Sequence, residues 1–125
     1  MMKATLKIIS DAMREMELAY GLGRFNGTAD PYFVGEYQET ESFTEDGLQE
    51  STFLLTGFGR GEWLELENAK EKIEHYFNRV SGKTVITDNG SAVAIFYAHS
   101  LIVPTNDAEL KRIQINLNIK EWKVN

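Results

Sequence analysis

The chain has 125 residues, a formal charge of −6 and a pI of about 4.9, with 42% hydrophobic and 26% charged residues. These values suit one globular domain over residues 1–125 that buries a core without a metal or disulfide staple. The absence of cysteine excludes disulfides, thiolate metal sites and a cysteine nucleophile, and the acidic balance argues against nucleic acid and anionic membranes as partners while leaving room for a basic protein.

In chain order, Met1 to Asp11 lacks the apolar core of a signal peptide, and no stretch approaches the roughly 20 apolar residues of a membrane span. An intracellular setting is expected. Residues Lys3 to Tyr20 predict a helix, because Leu6, Ile9, Met13, Met16 and Tyr20 recur at spacings of three and four. Gly21 and Gly23 supply its stop, and Leu22 to Pro31 reads as a loop rich in turn residues. Tyr32 to Phe43 predicts a strand whose second half is polar on both faces. Glu45-Asp46-Gly47 is a turn signal, and Ser51 to Phe58 returns as the second arm of a long hairpin.

Glu62 to Val80 predicts a second amphipathic helix with Leu66, Ala69, Ile73, Tyr76, Phe77 and Val80 in its stripe. Thr84 to Thr87 predicts a short strand. Asp88-Asn89-Gly90 marks a hairpin of type I′. Ser91 to Val103 is apolar on both faces and predicts a central strand. After a turn at Pro104 to Ala108, Lys111 to Val124 alternates, with Ile113, Ile115, Leu117 and Ile119 on one face and Arg112, Gln114, Asn116, Asn118 and Lys120 on the other. The expected fold is α+β in the order α-β-β-α-β-β-β: an antiparallel sheet, made of a long hairpin and a three-stranded meander, packed on one face by two helices.

No residue set spells out a catalytic mechanism. The run Gly57-x-Gly59-x-Gly61 stands between a strand and a helix, where a phosphate loop would lie. Its spacing departs from the dinucleotide fingerprint and no Gly-Lys-Ser/Thr follows, so a flexible joint is the favoured role. His75 and His99 lack metal-site spacing. No catalytic, cofactor-binding or metal residues are expected, and no cofactor. Tyr32, Phe33, Tyr37 and Phe43 concentrate on the first hairpin beside Glu39, Glu41, Glu45 and Asp46. Aromatic residues are enriched at interfaces, so these eight are candidate protein-contact residues. The alternative is that the rings cover the sheet edge within one chain.

The segments Pro31-Tyr32-Phe33-Val34-Gly35-Glu36-Tyr37, Glu45-Asp46-Gly47, Phe53-Leu54-Leu55-Thr56-Gly57 and the helix from Leu66 to Phe77 resemble the tail-completion, or tail-terminator, proteins of siphophages and prophages. The resemblance runs from about Pro31 onward. It implies an antiparallel sheet flanked by helices and no enzymatic activity. It also implies assembly into rings, commonly hexameric, that cap the tail tube and dock onto the head connector, in the host cytoplasm during assembly and then in the virion. The competing class is a small-ligand-binding module or enzyme using a groove between sheet and helices, with His99, Tyr97 or Arg60 in it.

Overall fold

A computed structural model describes residues 1–39 and 47–124. Helix α1 spans Lys3–Glu15 and α2 spans Trp63–Tyr76. The strands are β1 (Tyr20–Leu22), β2 (Tyr32–Glu39), β3 (Leu48–Gly59), β4 (Lys83–Ile86), β5 (Ala92–Ile102) and β6 (Lys111–Trp122). They form one six-stranded sheet in the order β1-β2-β3-β6-β5-β4.

This corrects the expected fold while keeping it α+β. The order is α-β-β-β-α-β-β-β, and the sheet is mixed rather than antiparallel, because β1 pairs in parallel with β2. The cause lies at the end of α1. The helix stops at Glu15 instead of running to Tyr20. Glu17 adopts φ 60°, Leu18 donates to the Met13 carbonyl at 2.9 Å and Glu17 to the Arg14 carbonyl at 2.9 Å. Those two bonds make a Schellman cap, with glutamate where glycine is usual. The chain then leaves extended, and Tyr20 to Leu22 ladders onto β2 through Phe33 N–H to the Ala19 carbonyl and Gly23 N–H to the Gly35 carbonyl, both 2.8 Å.

Helix α2 also ends early, at Tyr76 rather than Val80. Asn78 Oδ1 accepts from Val80 N–H at 2.8 Å and Ser81 N–H at 3.1 Å, an Asx-type turn that competes with helix. Val80 consequently leaves the stripe and is 89% exposed. The Asp88–Gly90 turn differs from the expected type I′: among its residues only Gly90 has positive φ, at 87°. Gly90 N–H donates to the Thr87 carbonyl and Thr87 N–H to the Ser91 carbonyl, so the connection is a three-residue loop closed by a left-handed glycine. Strand β5 is next to the edge rather than central, and β4 covers only Ala92 to Ile95 of it.

The core forms because alternate residues of the strands and the stripes of both helices meet on one side of the sheet. Ile9, Ala12 and Met13 of α1 and Leu66, Ala69 and Ile73 of α2 join Phe33, Phe53, Leu55, Val93, Ile95, Tyr97 and the four alternating residues of β6 in one buried cluster. Burying such side chains is worth roughly 1.5–3 kcal/mol each. The opposite face carries Tyr32, Val34, Leu54, Thr56, Phe58, Phe96 and the polar row of β6, and among the described residues no helix covers it. Among the described residues no helix is long and apolar enough to cross a membrane.

Candidate functional site

The eight candidate contact residues separate. Phe33 is wholly buried, packed in the core between β1 and β3, and has no surface to offer a partner. Tyr37 is 46% exposed. Glu39 forms an ion pair with the amino group of Met1. Tyr32 sits on the open face of the sheet. Glu41, Phe43, Glu45 and Asp46 lie outside the described residues.

Tyr32 belongs to a stack absent from the expectations. The connection from β1 to β2 folds over the open face and lays Phe25 on Tyr32, with centroids 5.1 Å apart and planes at 17°. Tyr32 pairs across the ladder with Phe58, and their rings stack at 5.3 Å and 24°. The Arg112 guanidinium covers Phe58 at 5.6 Å from the ring centroid, because Arg112 is the residue opposite Phe58 on β6. The result is a ladder of three rings and a guanidinium across β2, β3 and β6. Beside it lies a cavity of about 370 Å³, bordered also by Arg24, Glu36 and Thr56. The visible signal was the polar-side position of Arg112 and Tyr32 in their strands. Phe25 gave none, since loop residues carry no periodicity.

A larger groove of about 700 Å³ lies between α1 and the β4–β5 hairpin, with Lys3, Lys7, Ile8, Val85 and Ile86 on its walls. It lies against β4, the last strand of the sheet on that side.

The residues named for a ligand groove do not converge. Tyr97 is 2% exposed, in the core, with the Arg79 guanidinium 5.0 Å from its ring centroid. A bulge between Tyr97 and His99 shifts the register and turns His99 to the opposite face, where its Nε2 lies 2.8 Å from Asn116 Nδ2. Arg60 binds Asp107 at 2.8 Å beyond the end of β3. That partnership holds Asp107 below the usual carboxylate range, after the larger effect of the Glu109 backbone N–H, and raises Arg60. Burial pushes the Tyr20 phenol up to about 12.

The glycine run is not a flexible joint. A Cβ on Gly57 would fall 2.6 Å from the Phe33 ring, so Gly57 makes room for Phe33 in the core. Gly59 stands beside Asp30, whose carboxylate accepts from Arg60 N–H at 3.1 and 3.2 Å. An acid already occupies the backbone donor that a phosphate would use. No group of three His, Asp or Glu side chains close enough to hold a metal occurs among the described residues.

The buried polar centre of the molecule is Glu121. It is fully buried at the end of β6, and one carboxylate oxygen accepts from Met2 N–H at 2.8 Å and from the Thr5 hydroxyl. Helix α1 has no side-chain cap at Met2 and no acid in its first turn. Glu121 supplies both from across the fold, where the helix dipole favours negative charge. Its role is structural. Compared with known proteins, the chain matches no protein-family model and no curated protein.

Proposed function

We propose that the chain is a non-enzymatic structural protein of the phage or prophage head–tail joining region, which completes or caps the tail tube as an oligomeric ring. Its partners are further copies of itself, the tail tube protein and the head connector; it works in the host cytoplasm during assembly and ends in the virion. The observation that carries this reading is the pair of unlike sheet edges. One is β1, three residues long, with Leu22 47% exposed. The other is β4 with the uncovered half of β5, where Ile86, Leu101 and Ile102 are 67%, 45% and 59% exposed. A ring of identical copies needs a head-to-tail contact between two different surfaces of each copy. Open strand edges with exposed aliphatic side chains are surfaces that natural monomers avoid.

Sedimentation velocity and cross-linking, on the chain alone and mixed with tail tube and connector proteins, test the proposal. A discrete oligomer is expected, and Ile86→Lys with Ile102→Lys should return it to monomer. Both positions are exposed, so the double variant should fold with a stability change of only about 0.5 kcal/mol per site. A chain that stays monomeric alone and ignores both partner proteins would sink the proposal.

A further inference from the structure

The two outer edges of the sheet are stepped, and among the described residues the steps are complementary. At one edge β1 pairs only with Phe33–Gly35 of β2 and leaves Glu36–Glu39 bare. At the other, β4 pairs only with Ala92–Ile95 of β5. The Phe77 carbonyl accepts from Tyr97 N–H at 2.9 Å just beyond β4, and Ser100–Ile102 is then bare. The register of the sheet sets the height of each step. Tyr20 shares a row with Phe33, Gly57, Ile113 and Ile102, and Leu22 shares one with Gly35, Leu55, Ile115 and Ser100. The short strand that protrudes at one edge therefore stands level with the gap at the other.

Direction and phase agree as well. Strand β1 runs parallel to β2 and so antiparallel to β5. Backbone polar groups point to alternate sides along a strand. The Ala19 carbonyl and the Gly23 N–H bond to β2, so Tyr20 and Leu22 present their groups outward. Val103 N–H donates to the Arg112 carbonyl of β6, so Ile102 and Ser100 present theirs outward on the other edge. Tyr20 opposite Ile102 and Leu22 opposite Ser100 make two hydrogen-bonded antiparallel pairs, with the core face continuous across them. Such a junction covers Leu22, Leu101 and Ile102, all exposed in the single chain.

We propose that β1 of one copy inserts along Ser100–Ile102 of the next, antiparallel and without stagger, so that one sheet runs through the contact. This rests on the ring reading and deepens it by assigning the residues that meet. A contact without stagger repeats from copy to copy without climbing along the strands, as a closed ring needs. The same placement sets β4 beside the bare end of the neighbour's β2, where Lys83 comes level with Glu39, its opposite in charge.

The chain has no cysteine, so introduced thiols read the contact directly. Leu22→Cys with Ser100→Cys puts thiols on one proposed pair, with Cα atoms about 5.5 Å apart and within disulfide range. Inside one chain these positions are separated by β2, β3 and β6, roughly 19 Å. Ile86 lies roughly 23 Å along the strands from the row of Ser100, so Leu22→Cys with Ile86→Cys is the control. Under mild oxidation the first pair should give covalent oligomers up to the size found by sedimentation, and the control none. Mixed Leu22→Cys and Ser100→Cys single variants should stop at a covalent dimer. Ile102→Pro tests the contact without thiols. It removes an outward N–H that the single chain does not use, a position where an edge strand tolerates proline. Amide exchange in β6 should be unchanged and self-association at least about tenfold weaker. Suppose the native chain assembles, alone or on the tail tube protein, but the first pair does not cross-link, or the control or Ser100→Cys alone links as readily. This contact is then overturned and the ring stands. Association unchanged in Ile102→Pro overturns it too. If the native chain assembles under neither condition and no pair cross-links, ring and contact fall together.

Discussion

Glu17 shows how one residue redirects a chain. Its φ of 60° places Cβ in the left-handed region, which costs an L-residue roughly 1–2 kcal/mol. The two cap bonds at Leu18 and Glu17 hold it there. Leu18 packs partly on the core, the apolar contact that accompanies such caps. Glu17 is exposed and makes no side-chain bond among the described residues. Replacement by glycine removes the strain and keeps both backbone bonds. Part of the gain is offset by the greater freedom of glycine in the unfolded chain. Glu17→Gly is therefore expected to raise stability by about 0.5–1 kcal/mol in urea unfolding, and Glu17→Val to lower it. A glycine variant less stable than the native chain would contradict this account. The early end of α1 was hidden in the sequence for the same reason: the apolar spacing continues through Met16 to Tyr20, and the residue that stops the helix is an ordinary helix former.

At the scale of elements, what repeats was legible and what joins was not. The stripes of both helices, the alternation of β6 and the paired arms of β2 and β3 stand out because burial on one face imposes a period. Strand β1 has three residues and no period. It exists because Phe33 and Gly35 offer backbone groups along the free side of β2, which is information held in space rather than in the neighbouring sequence. The aromatic stack shows the same split. Tyr32 could be singled out as a strand aromatic, whereas its partners Phe25, Phe58 and Arg112 come from three other segments. Helix α1 depends on such a distant residue as well. Its N-terminus has no local cap, and Glu121 serves from 116 residues beyond Thr5. Glu121→Ala would leave the Met2 N–H and the Thr5 hydroxyl without their acceptor and open a small cavity. A loss of about 2–4 kcal/mol is expected in chemical unfolding, being the cap at about 1 kcal/mol plus one or two buried groups left unsatisfied. Glu121→Gln retains an acceptor and should cost less. Equal losses in the two variants would mean that the carboxylate charge at the helix N-terminus, which both variants lack, rather than a neutral acceptor, is what Glu121 provides.

Across the whole molecule the sheet is strong at its centre and weak at its margins, and the proposed assembly uses the margins. Strands β3 and β6 pair with each other over 12 residues, lie between other strands and carry the core on one face. Their opening requires most of the fold to open. Among the described strands, β4 pairs only with β5, over four residues, and β1 only with β2, over three. Few buried contacts and a free edge are the conditions for local opening at low cost. In dilute monomer, amide exchange should therefore be slowest in β3 and β6, with protection near the global stability, and fastest among the strands in β1 and β4. The prediction becomes specific to function on raising the concentration or adding the tail tube protein. Contacts along the edges then restrict the same local openings, so protection should rise in β4, in Leu101–Ile102 and in β1, and stay constant in β3 and β6. An increase spread evenly over all strands would indicate general stabilisation instead of an edge-to-edge contact. Protection of β4 equal to that of β6 in the monomer would show that the edge is not the weak margin on which the assembly reading depends.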